Sequence, residues 1–197
     1  NPTGPLHIGH LRGAVFGDVL SRLMTKTGFK VTKEYYINDL GNQIENLFQT
    51  VKIHIENKVN NTNKALKEGM YLGDYLKEIA LQLIKENIDL RNKKQAKENI
   101  IKKILDLIKE DLRKLGIVFD SFISEKDIHD QGILDKVLSV LNKKNLIYEG
   151  ILEAPKGKKN ANWKPKKQLI FKSSNFGDSL DRAIKKNNGE WTYFASD

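Results

Sequence analysis

The sequence predicts an α/β fold built on a parallel sheet, and three observations carry that prediction. An amphipathic stretch over residues 9–27 is followed by an extended, β-branched and aromatic run over 29–37, then by a second helical stretch over 41–58. This helix, strand, helix succession is the signature of a parallel sheet. The turn Asn1-Pro2-Thr3-Gly4-Pro5 leads into His7-Ile8-Gly9-His10 just where the first helix begins, so that two imidazoles and the N–H groups of a helix start meet at one point. Such a point favours phosphate oxygens. After Leu146 the pattern changes to short strands and turns, which reads as a helical and hairpin insertion on the sheet.

The first helix places Leu11, Val15, Val19, Leu20 and Leu23 near helical spacing, and Gly28 stands where a left-handed cap belongs. The strand over 29–37 ends in a turn at Asn38-Asp39. Residues 57–63 hold four asparagines and read as a loop. Two more amphipathic helices follow over 75–87 and 94–115, the second on Ile100, Ile101, Ile104, Leu107, Ile108 and Leu112, with Gly116 as its end. Residues 117–123 are apolar and β-branched enough for a strand, and 130–144 return to helix with Ile133, Val137, Val140 and Leu141 on one side. Short strands are expected over 146–152, 168–172 and 190–194. The expected organisation is a first part of a nucleotide-binding domain over 1–60, its continuation with the insertion over 61–189, and a return strand over 190–197. Both ends read as cut, as in an internal fragment.

The 197 residues suffice for one good core. The absence of Cys excludes a disulfide framework, thiol catalysis and Cys-based zinc sites, and accords with a cytoplasmic location. No apolar run approaches the roughly 18 residues of a membrane span. A net charge of +9, from 34 Lys and Arg against 25 Asp and Glu, suits a polyanionic partner, although a Lys-, Asn- and Ile-rich composition gives the same excess without one.

At His7 and His10 both rings can donate hydrogen bonds to anionic oxygens without a full charge, and Gly9 leaves room for a base or ribose against the backbone. With no carboxylate or thiolate placed by spacing, a metal pair at these histidines is not expected. Asn38-Asp39-Leu40-Gly41 follows a strand and is either a turn or the rim of a site at the carboxyl edge of the sheet. Residues 156–172 hold seven lysines and no acid, with Trp163 and Phe171 among them, and form either an RNA-contacting or a merely solvated hairpin. Tyr193 and Asp197, four apart, would share one face of a strand, where a carboxylate can accept a guanidinium pair. His54 and His129 read as structural or surface residues.

The run from Asn1 through Leu11-Arg12-Gly13-Ala14, then Lys33-Glu34-Tyr35-Tyr36-Ile37-Asn38-Asp39-Leu40-Gly41-Asn42-Gln43, closely resembles the catalytic domain of the arginyl-tRNA synthetase family, class I aminoacyl-tRNA synthetases. Asp111-Leu112, Leu115-Gly116-Ile117, Ile147-Tyr148-Glu149-Gly150, Phe176-Gly177-Asp178, Asp181-Arg182 and the run from Trp191 to Asp197 continue the likeness in order, while residues 52–109 are less specific. The resemblance implies a Rossmann-like fold, with His7, Gly9 and His10 on ATP. It assigns L-arginine to Asn1, His7, Tyr193 and Asp197, and gives the pair His7 and His10 the catalytic role. It also implies Mg2+ arriving with ATP, tRNA(Arg) as acceptor and as a requirement for activation, no membrane partner, and a monomer when full length. A Lys-Met-Ser-Lys-Ser type loop, an anticodon-binding domain and an acidic residue just upstream of Asn1 are features of the family that these residues do not include. Two other classes stay open: a non-catalytic tRNA-binding or regulatory relative, and a small His-x-Gly-His nucleotidyl transferase. The 197-residue chain alone is expected to give no measurable tRNA arginylation, because each missing part should cost orders of magnitude in rate. A charging assay with tRNA and labelled arginine checks this.

Overall fold

The computed structural model describes residues 1–152 and 165–196. The chain divides into two compact units, Asn1–Lys126 and Asp127 onward.

The first unit contains α1 (Ile8–Lys26), β1 (Glu34–Ile37), α2 (Asn42–Val59), α3 (Asp74–Lys85), α4 (Lys93–Lys114) and β2 (Ser121–Ser124). Strands β1 and β2 pair in parallel, in the register Glu34↔Ser121 to Ile37↔Ser124, with α2, α3 and α4 as the crossover between them. The parallel pairing expected from the sequence is therefore present, though each strand is shorter than its apolar run. The two strands are clamped at their start, where the Lys33 N–H donates to Asp120 Oδ2 at 2.6 Å and the Lys33 carbonyl accepts from Asp120 N–H at 2.8 Å.

The core is a layer of three helices. Leu47, Phe48, Val51 and Ile55 of α2 meet Leu76, Ile79, Ala80 and Leu83 of α3 and Ile100, Ile104, Ile108 and Leu112 of α4. On α4 the buried positions recur every fourth residue, as one face of a helix requires. Gly116, at φ +72°, closes α4 as expected, and Gly28, at φ +94°, turns the chain after α1. An aromatic cluster of Tyr35, Phe119 and Phe122, with centroids 5.2–5.9 Å apart, flanks the strand pair, and Lys109 Nζ lies 4.3 Å from the Phe122 ring centroid.

Helix α1 departs from its sequence pattern. Its apolar residues Val15, Phe16, Val19, Leu20 and Leu23 are exposed, Phe16 at 70%, whereas Asp18 and Ser21 are buried. On the buried side Asp18 is gripped by two cations, Arg22 Nε at 2.6 Å and Lys33 Nζ at 3.2 Å. Arg22 also donates to the Gly116 carbonyl at 2.9 Å.

The second unit holds most of α5 (Glu125–Asp130), then α6 (Ile133–Lys143) and an antiparallel sheet, β3 (Ile147–Gly150), β4 (Gln168–Phe171) and β5 (Arg182–Lys185). The helix expected over 130–144 is present as α6, and Gly132, at φ +64°, separates it from the short α5 before it. Strand β5 has no counterpart in the expected elements. The strand expected over 190–194 shrinks to one bridge, Lys185↔Trp191, and α7 (Tyr193–Ser196) is a helical turn instead. Thr192 makes this change: its hydroxyl donates to the Ala183 carbonyl at 2.6 Å, and its own carbonyl accepts from Ala195 N–H at 3.1 Å.

Truncating Ile104 to alanine should destabilise the first unit by about 2–5 kcal/mol, since the side chain is fully buried. Leu107→Ala, on the exposed side of the same helix, should cost about 1 kcal/mol or less. Urea unfolding of the two variants measures the contrast.

Candidate nucleotide site

The site is built on the start of α1. His7 is the N-cap, with extended backbone at φ −134° and ψ 171°, and its Nδ1 accepts from Gly9 N–H at 3.1 Å. His10 reciprocates: its Nδ1 accepts from His7 N–H at 3.2 Å. The two rings stack with centroids 3.8 Å apart and planes inclined by 28°. The arrangement is a capping box in which imidazoles replace the usual hydroxyl and carboxyl.

The chemical consequence is a fixed tautomer. A ring nitrogen that accepts a hydrogen bond carries no proton, so in the neutral form both rings hold theirs on Nε2. Desolvation, and the repulsion that a second charge beside His7 would meet, hold the His10 pKa below its ordinary 6.5 and favour the neutral ring. The pair thus offers two Nε2–H donors from exposed side chains. The expected role of open backbone N–H groups is corrected here, because Gly9 N–H is occupied by His7 Nδ1 and His10 N–H by the His7 carbonyl at 2.8 Å.

Gly9 also has a different reason to be glycine. A Cβ there would lie 2.9 Å from His7 Cε1, so the space over its backbone is filled by the His7 imidazole. Both histidines line a cleft of about 380 Å3 with Leu6, Leu11, Asp111 and Lys114, within the size range of ligand sites. Asn1 is exposed at the start of the same segment.

At the carboxyl edge of the strand pair, Asp39 is structural. Its Oδ2 accepts from Ser124 Oγ at 2.7 Å and its Oδ1 from Lys126 N–H at 2.9 Å, bracketing the ends of β1 and β2. Gln43 Nε2 donates to the Asn38 carbonyl and side chain at 3.0 and 2.7 Å. Beside this bracket lies a residue that sequence reasoning missed. Glu125 is buried, and its Oε2 has no hydrogen-bond partner. A carboxyl group buried with an unsatisfied oxygen is costly unless a donor reaches it. The only signal for it in the sequence is an acid immediately after a strand.

The remaining expected sites fall elsewhere. The backbone of Tyr193 lies in α7, while its side chain and the whole of Asp197 lie outside the described residues. Residues 156–164 of the lysine-rich stretch lie outside them too. Tyr148, Asp178, Asp181 and Arg182, which carried part of the family likeness, fall in two hydrogen-bonded groups. Asp181 accepts from Tyr148 Oη at 2.9 Å and Ser174 Oγ at 2.6 Å, and Asp178 takes Arg182 in a two-point pair at 2.6 and 2.8 Å. Hydrogen bonds from Arg182 lower the Asp178 carboxyl to about 2. His54 is half-buried with Nε2 unpartnered, and burial followed by the charge of Lys77 lowers its pKa.

The parallel strand pair and the paired-imidazole helix start belong to one α/β unit. The family described as tRNA synthetases class I (R), catalytic domain, matches residues 1–197. Arginine–tRNA ligases from Wolbachia pipientis wMel and from Rickettsia bellii (strain OSU 85-389) are 46% and 48% identical, over all of this chain and 35% of each relative. A crystal structure assigned to an arginyl-tRNA synthetase from Campylobacter jejuni superposes with a TM-score of 0.79 at 34% identity, covering all of this chain and 41% of that one. The chain belongs to the arginyl class I tRNA synthetase catalytic-domain family, and spans about a third of the length of the curated relatives it matches.

Protonating either ring at Nδ1 would break the cap, and His10 and His54 both have lowered values. For a base whose folded pKa is lowered, the unfolded chain binds more protons, so stability is intact above about 6.5 and falls as pH drops through and below it. Thermal unfolding between pH 8 and 5 should show the melting temperature falling on the acid side, and His10→Gln should flatten part of that slope.

Proposed function

We propose that this chain is the ATP- and arginine-binding part of an arginine–tRNA ligase, in which the carboxylate of L-arginine is activated on ATP and passed to tRNA(Arg). The observation that carries the reading is the reciprocal imidazole cap of His7 and His10, in a chain whose whole length matches the family. In this scheme residues 1–60 begin the nucleotide-binding domain, 61–189 continue it with the insertion, and 190–197 lead back to it.

The arginine carboxylate attacks the α-phosphorus of ATP in line, a new acyl–phosphate bond forms, and the bond to the β-phosphate oxygen breaks to release pyrophosphate. No enzyme nucleophile is needed, so orientation and charge stabilisation are the protein's contribution. His7 and His10 donate from Nε2–H to phosphate oxygens, with Gly9 as the gap that lets the His7 ring lie flat over the helix start. Mg2+ travels with the ATP phosphates as part of the substrate. Asn1 holds the polar end of the amino acid, and Tyr193 and Asp197 take its guanidinium. In the second step a terminal ribose hydroxyl of the tRNA attacks the activated carbonyl and AMP leaves. The polyanionic tRNA accords with the net charge of +9. A monomeric, cytoplasmic protein fits this scheme, and no helix among the described residues is long and apolar enough to cross a membrane.

Titration with ATP should give saturable binding that His7→Ala or His10→Ala weakens by about 10- to 100-fold, the size of one hydrogen bond to a charged group. In the intact protein, pyrophosphate exchange should need both L-arginine and tRNA. L-citrulline, which replaces the guanidinium with a neutral group, should not substitute. Equal exchange with citrulline would sink the arginine assignment.

A further inference from the structure

Residues 1–6 have no regular secondary structure, yet they deliver His7 to the cap at a defined angle. What fixes them comes from α3, in the stretch where the family likeness is least specific. Pro2 is fully buried and Leu6 packs on the helical core. Tyr75, in the first turn of α3, donates its hydroxyl to the Thr3 carbonyl at 2.6 Å. Among the described residues this is the one hydrogen bond that ties residues 1–6 to another element.

The ring occupies a slot that two glycines leave open. A Cβ on Gly4 would stand 3.1 Å from Tyr75 Oη, and one on Gly73 would stand 2.5 Å from Cε1. Gly73 also has φ +147°, a conformation side chains other than glycine's rarely adopt. Removing the side chain on both sides of the phenol is what lets a short turn lie directly against a helix start.

We propose that Tyr75 is a positioning residue for the His7 and His10 pair: slotted between Gly73 and Gly4, its hydroxyl on the Thr3 carbonyl sets the angle at which the chain meets α1, and so where the two Nε2–H donors stand. The functional half of this rests on the reading of that pair as phosphate donors. The geometric half does not.

The test uses the 197-residue chain with isotope-labelled histidine, in which the four imidazoles of His7, His10, His54 and His129 are separate reporters. Tyr75→Phe keeps the ring and removes the hydroxyl. The expected result is a change in the nitrogen shifts of His7 and His10 with His54 and His129 unmoved, and an ATP affinity lowered about three- to tenfold. Unchanged signals at His7 and His10 overturn the proposal. If all four signals move, Gly4→Ala takes over, since it presses a methyl on the hydroxyl while keeping the phenol. The same two signals must then respond alone, or the proposal falls. Should the wild-type chain bind no ATP while the two imidazoles still respond to Tyr75→Phe, the positioning role stands and the phosphate reading of the pair is what fails.

Discussion

The carboxylate of Asp18 is the constraint on which the first unit depends. It is buried on α1, and burial alone would push its pKa up, but hydrogen bonds from Arg22 and Lys33 outweigh that and hold it ionised. Each partner leads to a different element. Lys33 precedes β1 and makes two hydrogen bonds with Asp120, one to its carboxylate and one from its N–H, just before β2, whereas Arg22 reaches the Gly116 carbonyl where α4 ends. One anion thus joins α1 to the residue before β1 and, through Arg22, to the end of α4. A charge held this way is better understood as choosing one arrangement than as adding net stability, because desolvation offsets much of the attraction. Its choice is visible in α1, which turns a charged side inward and leaves Val15, Phe16 and Leu23 exposed.

At the start of α1 both imidazoles are exposed. Stacking at 3.8 Å would be unfavourable for two charged rings, and the reciprocal Nδ1 bonds require both to be neutral. The pair is a preorganised neutral donor of two Nε2–H groups.

Much of the fold was legible because its signals are local. The four-residue spacing of Ile100, Ile104, Ile108 and Leu112, the glycines at 28 and 116, and the β-branched run before Asn38 each act within one element. What was not legible depended on distant partners. The inward turn of Asp18 needs Lys33, the bracket by Asp39 needs Ser124 and Lys126, and the helical turn of α7 needs the Ala183 carbonyl to capture Thr192. The histidines were readable as a pair, but their use of the backbone N–H groups was not. Spacing places the rings together without showing which nitrogen faces inward. Glu125 and Tyr75 lie in runs whose composition is ordinary, and only their surroundings distinguish them.

The strand register has a kinetic side. Lys33 and Asp120, which begin the β1 and β2 pairing, are separated by 87 positions, with three helices between them. Closing a loop of that length before any strand contact forms is entropically unfavourable, whereas α2, α3 and α4 meet through nearer neighbours. The order of assembly that follows is helices first and the parallel pair last. On a ribosome, the segment carrying His7 would leave the tunnel before Asp120, and the strand pair would close only once Asp120 follows.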